Sequence, residues 1–483
     1  MTTRRALAWS FAERYASFFV TMASLMWLAR LLTPAEVGVY SLCAAFIAVA
    51  GILRDFGVSE YLIQERTLSR EKMRAASAIA LTVAWTLGAV TFFGRGAVAR
   101  FYEEPGVAQV LAILSLHFFL LPITSPAFAL LNRELAFHRI FLLQIACNVA
   151  QAVISVTLAL RGHSYLALAW GPVANVATQT VMLAYWRPKD SFILPGWREA
   201  RTVLRFGGMY VASRVLETLA RNSHEPVIAK QFDFVSVGLF SRAQGMIEMF
   251  HHNVSDAVVR VSTPVFAEDH RNGRPIAESF SRSTAIFVSI SWPFFGFIAL
   301  CSEPIIRVLF GQQWTSAAPL ASILAMAAIP SGPFEMVPQL LSATGRVGQR
   351  LRISAIVSPV HVILVIAASF VSLSAVAAVS FVSATLSLFL GARQIRLALG
   401  QGAWQVYRAC APSAAIAIAV VVAQWIALAI CRGLEVPALP ALLAVGAVGS
   451  IVWAGAARAL GHPAYAELQR MARFARDRGR RLR

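Results

Sequence analysis

Polar and charged residues recur along one face of the first apolar segment. Ser10, Arg14, Ser17, Thr21 and Ser24 stand at i, i+4, i+7, i+11 and i+14, which is one narrow stripe of an α-helix. Farther along, Tyr210, Arg214, Glu217, Arg221 and His224 occupy the same relative positions, with Glu225 adjoining, while Glu13 stands beside Arg14 in the first stripe. A third line follows in Gln244, Glu248, His251 and Ser255, and Arg242 points away from it. The chemistry open to these groups is anion binding. A guanidinium presents a planar fork of donors that matches phosphate oxygens two at a time, and it stays charged when partly desolvated. The carboxylates Glu13, Glu217, Glu248 and Glu335 can neutralise those arginines or bind a coupling H+ or Na+. Glu335 lies in SGPFEMVPQLL, where Pro333 and Pro338 predict a broken helix with carbonyls exposed beside the carboxylate.

The elements that position these groups are membrane helices. Of 483 residues, 58% are hydrophobic and 14% charged, with a mean hydropathy of +0.64, which excludes an ordinary soluble domain. Apolar runs long enough to cross a bilayer core recur along nearly the whole chain, and they lack the short alternating pattern of barrel strands. Fourteen such runs are expected, from Trp9–Leu32 to Val436–Ala457. The eighth, Val235–Val259, is the least apolar, because it holds Arg242, Glu248, His251, His252 and Asp256. The reading is an all-α polytopic membrane protein.

Charge distribution sets the orientation. With fourteen spans and a cytoplasmic N-terminus, nearly all basic residues outside the spans fall on the cytoplasmic face, which places both termini there. The net charge of +19 is thereby read as a set of topology determinants, and no nucleic-acid partner is expected. External loops are too short for a catalytic domain. Five scattered cysteines without CxxC spacing support neither disulfides nor a metal site, so no cofactor and no enzymatic activity are expected. Glu13 and Arg14 interrupt what would be a signal-peptide core, so the first span is read as uncleaved.

An internal repeat organises the chain. Offset by 200 residues, Arg14 matches Arg214, Ala29-Arg30 matches Ala229-Lys230, and VGVYS (Val37 to Ser41) matches VGLFS (Val237 to Ser241). FALLNRE and VPQLLSATG fall in corresponding fourth spans, each preceded by prolines. The expected organisation is a six-helix lobe over residues 1–190, a second over 191–400 in the same orientation, an extra helix pair over 401–461 and a basic cytoplasmic tail over 462–483. The segment RPKDSFILPGWREARTVLRFGG would connect the lobes, and the arginine-rich tail would lie on anionic headgroups. A charge at mid-bilayer costs about 2.5–3.5 kcal/mol on insertion scales. Matching charged stripes should therefore line a water-filled cationic cleft between the two bundles rather than face lipid. Snorkelling of Arg14 to headgroups and ion pairing between lobes are the structural alternatives.

WLARLLTPAEVGVYSL, ILRDFGVSEYLIQE, VGLFSRAQGM and LLSATGR together resemble the Wzx-type polysaccharide biosynthesis flippases of the multidrug/oligosaccharidyl-lipid/polysaccharide exporter superfamily. The resemblance implies two six-helix lobes plus a final pair, in a bacterial inner membrane. It implies alternating access that carries an undecaprenyl-pyrophosphate-linked oligosaccharide from the cytoplasmic to the periplasmic leaflet for O-antigen, capsule or exopolysaccharide assembly. On that model Arg14, Arg214, Arg221 and Arg242 bind the cargo, whose lipid tail stays among membrane lipids, and a polysaccharide polymerase and a chain-length regulator are candidate partners. The family has no tight catalytic signature, so these roles come from position and charge. A lipid II flippase and a cation-coupled drug or metabolite antiporter of the same superfamily are the alternatives.

Overall fold

A computed structural model describes residues 3–55, 58, 62, 69–200, 214–400 and 402–469. The described residues are helical, with no strand among them. They form fourteen principal helices. In the first half these are α1 (Thr3–Leu31), α2 (Pro34–Asp55), α3 (Arg70–Tyr102), α4 (Pro105–Arg133), α5 (Phe137–Leu160) and α6 (Tyr165–Trp186). Helix α7 is described over 214–221 and His224–Gln231. Helix α8 runs as Phe234–Phe250, a π-helical turn His251–Ser255, and Asp256–Arg271. Then come α9 (Ile276–Leu309), the broken α10 (Gln312–Ala343), α11 (Val347–Ser369), α12 (Leu373–Leu399), α13 (Ala403–Gly433) and α14 (Ala438–Ala459).

Eleven of these are long and apolar enough to cross a membrane. Helices α1, α7 and α8 carry the ionisable stripes, and α7 is described only in part. Helix α8 also extends beyond Val259 to Arg271, passing through Pro264 and ending before Asn272 and Gly273, whose φ is +64°.

Helix starts follow local chemistry, and repeated positions use the same device. At the head of α2, Thr33 N–H donates to Glu36 Oε2 at 2.7 Å and Glu36 N–H donates to Thr33 Oγ1 at 3.4 Å, a reciprocal cap with Pro34 in the first turn. Two hundred residues later, Asp233 caps α8 by accepting the Ser236 N–H at 2.7 Å. Ser69 and Ser372 cap α3 and α12 in the same way.

The chain divides into two compact units, Met1–Leu239 and Phe240–Arg483. In the first, α3 packs on α4, α4 on α6, α5 on α6, and α1 along α5. In the second, α9 packs on α10, α10 on α12 and α11 on α12, which repeats three of those pairings, while α13 and α14 pack on each other and on α9. In lipid the drive to associate comes from close packing and interhelical hydrogen bonds, and small residues permit both. Gly171 brings α6 so near α5 that an added Cβ would sit 2.1 Å from Ser155 Oγ. Ala127, Leu131, Leu143, Cys147 and Leu183 fill the seam between α4, α5 and α6.

The duplicated VGVYS and VGLFS segments meet each other inside the first unit. A Cβ on Gly38 would lie 1.8 Å from the Phe234 carbonyl oxygen, and one on Gly238 would lie 2.0 Å from the Pro34 carbonyl oxygen. Each glycine thus abuts the residue four positions before its counterpart. Beside this crossing, Lys230 Nζ donates to the Phe101 carbonyl at 2.8 Å and pairs with Glu103 at 3.3 Å.

The first part of the expected connector is docked along the start of α3. Gly196 N–H donates to the Arg74 carbonyl at 3.1 Å, Arg74 Nε donates to the Leu194 carbonyl at 3.2 Å, and Arg198 pairs with Glu71 at 3.0 Å. Arg187 forks onto Glu134 just past the end of α4 and also reaches Asp190 at 3.2 Å. That fork holds the Glu134 carboxyl below its usual range and raises Arg187. Arg201, Arg205, Tyr210 and the arginine-rich tail from Arg470 lie outside the described residues.

After α14 the chain turns back onto the second unit. His462 is buried, and its Nδ1 accepts the Ala464 N–H at 3.2 Å, which leaves Nε2 to donate to Ser413 Oγ at 2.9 Å. Ser413 Oγ in turn donates to the Ala285 carbonyl at 2.9 Å. Arg282 pairs with Glu467 at 2.8 Å. These bonds fasten the segment after α14 to α9 and α13.

Candidate functional site

The first unit holds Glu13, Arg14, Arg214, Glu217 and Arg221. On α1, Glu13 and Arg14 are half-buried, and Ser17 Oγ donates to Glu13 Oε1 at 3.3 Å, so part of the stripe is tied together along the helix. Ser10 has no described side chain. On α7, Arg214 and Arg221 are exposed and Glu217 is half-buried. His224 and Glu225, just past the interruption at Asn222 and Ser223, are buried. The unit therefore keeps Arg14, Arg214 and Arg221 within the stripes of α1 and α7.

The second unit holds Arg242, Glu248 and Glu335. The line along α8 is realised as hydrogen-bonded pairs: Gln244 Nε2 donates to Glu248 Oε1 at 3.1 Å, and His251 Nδ1 meets Ser255 Oγ at 3.1 Å. The π turn that begins at His251 shifts the register of the helix. There the His251 ring lies 3.7 Å from Glu335 Oε1 and 6.2 Å, centre to centre, from Phe295. Arg242 is directed elsewhere, with its guanidinium 5.2 Å from the Trp314 ring and 5.7 Å from the Phe310 ring. That placement gives it an aromatic cradle on α9 and α10.

Helix α10 breaks as the prolines predict. It is α-helical to Ser331, 3₁₀ over Gly332–Phe334, and α-helical again over Val337–Ala343, with Glu335 at the break. Pro333 lacks the N–H that would have bonded the Ile329 carbonyl. The Gly332 N–H bonds this carbonyl, and Trp292 Nε1 takes the place of the donor that Pro333 lacks, at 2.6 Å. In the first unit Trp85 Nε1 donates to the Phe119 carbonyl at 3.3 Å, three residues before Pro122.

A further polar group escaped the reading of charges. On α5, Gln144, Asn148, Gln151 and Ser155 stand at i, i+4, i+7 and i+11, the spacing already noted on α1. Asn175 Nδ2 on α6 donates to Gln151 Oε1 at 3.1 Å and to Asn148 Oδ1 at 3.4 Å. The same periodicity test applied to neutral amides would have found it. In the second unit the corresponding helices are joined by His361 Nδ1 and Ser383 Oγ at 2.6 Å. Among the described residues no group of three or more His, Cys, Asp or Glu side chains could hold a metal ion.

Two bundles with the same helix packings, a broken tenth helix, and charged stripes on α1, α7 and α8 define a polytopic membrane protein. The fold matches that of lipid II flippase MurJ in its inward closed conformation, with a TM-score of 0.75 at 12% identity over 94% of this chain and 99% of MurJ. Residues 27–319 match the family described as polysaccharide biosynthesis protein, and the chain belongs to that family. It is 22% identical over 325 residues to the lipopolysaccharide biosynthesis protein WzxC of Escherichia coli K12, covering 66% of this chain and 65% of WzxC. It is 24% identical over 336 residues to the succinoglycan biosynthesis transport protein ExoT of Rhizobium meliloti, covering 67% of this chain and 66% of ExoT. The matches thus span just under two thirds of these relatives.

Proposed function

We propose that this protein is a flippase of polysaccharide assembly in a bacterial inner membrane, with both termini cytoplasmic. Its cargo is an undecaprenyl-pyrophosphate-linked oligosaccharide, moved from the cytoplasmic to the periplasmic leaflet by alternating access. The observation that carries the reading is that ionisable stripes stand on α1, α7 and α8 in a chain with eleven helices among its described residues apolar enough to span a membrane. Charge kept at such cost has a use, and arginine suits a pyrophosphate. Arg14, Arg214 and Arg221 attract the pyrophosphate. Arg242, cradled by Trp314 and Phe310, anchors α8. Glu335 beside His251, with Glu13, Glu217 and Glu248, balances charge or takes up a coupling H+ or Na+. The family membership and the similarity to WzxC and ExoT support a polysaccharide cargo. A polymerase and a chain-length regulator acting on the delivered repeat are the partners this role implies.

The test uses purified protein in sealed vesicles loaded with the lipid-linked repeat, whose arrival in the outer leaflet is read by an impermeant glycosidase. Wild type accelerates arrival, and Arg221→Ala abolishes it while membrane abundance stays unchanged. Arg14→Lys keeps the charge but not the fork, and loses part of the activity. If wild type moves lipid II and leaves the oligosaccharide in place, the cargo assignment fails. If Arg221→Ala disappears from the membrane, that arginine is structural.

A further inference from the structure

The three carboxamides Asn148, Gln151 and Asn175 have hydrogen-bonding capacity that helix packing does not use. Together they carry six N–H donors and three carbonyl oxygens. The two bonds between them consume two donors and engage two carbonyls. Four N–H groups and one carbonyl are left over. None of their atoms is among the buried side-chain atoms that lack a partner, and all three residues are half-buried. The spare groups therefore reach an accessible surface.

That surface is not the lipid side of α5. The exposed large apolar residues of the helix are Leu142 (41%), Val149 (42%), Val153 (56%), Ile154 (39%) and Leu160 (63%). At roughly 100° per residue they centre about 165° away from Gln144, Asn148, Gln151 and Ser155. Apolar side chains mark the hydrocarbon face, and spare amide donors turned toward hydrocarbon would remain unbonded at a cost of several kcal/mol each. The amide face is instead the one on which α5 meets α6 through Asn175, and α1, with its own polar stripe, packs along α5. In the corresponding pair of the second unit His361 is buried and Ser383 is half-buried.

We infer that Asn148, Gln151 and Asn175 form a sugar-recognition site in the first unit, one that binds the hydroxyl and acetamido groups of the cargo's glycan while the arginines attract its pyrophosphate. Carboxamides supply donors and acceptors without charge, which matches neutral sugar groups that both donate and accept. An organic cation or an acyl chain gains nothing from them. The inference rests on the proposed flippase reading for the identity of the cargo, but it is tested by binding alone.

The probes are the host's own lipid-linked repeat, extracted from cells lacking this protein, and the same material trimmed enzymatically to its first sugar. Both carry the same lipid and pyrophosphate. Native mass spectrometry of the detergent-solubilised full chain compares their affinities. Wild type is expected to prefer the full repeat by about tenfold, since a neutral hydrogen bond contributes a factor of a few and several act together. Asn148→Leu with Gln151→Leu is expected to bring that preference close to unity and leave affinity for the trimmed lipid unchanged. The single changes Asn148→Ala and Gln151→Ala, each of which keeps one interhelical amide bond, should lower it in part and keep the protein folded should the double variant not accumulate. A preference that survives both single changes, or a wild type that binds both lipids equally, overturns the inference. Amide-dependent preference without translocation in vesicles would refute the flippase reading and leave the sugar site standing.

Discussion

Replacing Gly38 or Gly238 by alanine should force apart the crossing of α2 with the first turn of α8. A Cβ on Gly38 would sit 1.8 Å from the Phe234 carbonyl oxygen, against a floor of 3.0 Å for real Cβ contacts. A shift of about 1.2 Å is therefore unavoidable, and the atom in the way is backbone, which cannot rotate aside. The reciprocal change at Gly238 starts from 2.0 Å to the Pro34 carbonyl oxygen and demands about 1.0 Å. Overpacking of this kind costs about 1–3 kcal/mol. The two substitutions do not add, however, because separating the helices for one relieves much of the strain of the other. The double variant should be less destabilised than the sum of the singles by about 0.5 kcal/mol or more. Thermal unfolding of detergent-solubilised wild type, both single variants and the double variant completes the cycle. Two single variants as stable as wild type, or strictly additive losses, would refute the reciprocal contact.

Trp292→Phe should leave the Ile329 carbonyl with the Gly332 N–H alone, removing its 2.6 Å indole donor, and cost about 0.5–1.5 kcal/mol. Trp85→Phe should cost less, because its bond is 3.3 Å long and its ring is half exposed; unfolding temperatures of the two variants rank them. Burial lowers the pKa of His462, so the unfolded chain binds the proton more readily than the folded one. Stability from this residue is complete above its ordinary unfolded pKa near 6.5 and declines as pH falls below it. The His462→Gln variant should therefore show a flatter dependence of unfolding temperature on pH across that window. For Glu134, whose folded pKa is depressed by the Arg187 fork, the sign is the same: its contribution is present above the unfolded carboxylate pKa and is lost as pH falls through the folded one. Because the pair is partly exposed, Glu134→Gln should cost about 1 kcal/mol or less at neutral pH and nothing in strong acid.

Charge and hydropathy were legible in the chain because each acts locally. Eleven apolar helices, the weakness of the eighth segment and the break around Glu335 all follow from which residues tolerate hydrocarbon and which cannot donate an N–H. Partnerships were less legible. Nothing near residue 292 announces that its indole replaces a donor that Pro333 lacks, and nothing in HHNVS announces a π turn that brings His251 to Glu335. The amides of α5 were hidden for a different reason. They are uncharged and scattered among Leu, Ile, Ala and Val, so they barely lower the hydropathy of their segment, and only periodicity singles them out. The repeat showed that VGVYS and VGLFS are copies, but similarity cannot show that the copies touch.

That contact resembles the interface of a symmetric dimer. Gly38 meets the neighbourhood of Gly238 as Gly238 meets that of Gly38, the self-complementary arrangement of two identical subunits about a two-fold axis. At this crossing each copy of the repeated segment is the other's steric environment, and a bulkier residue at either position would need room made by its twin.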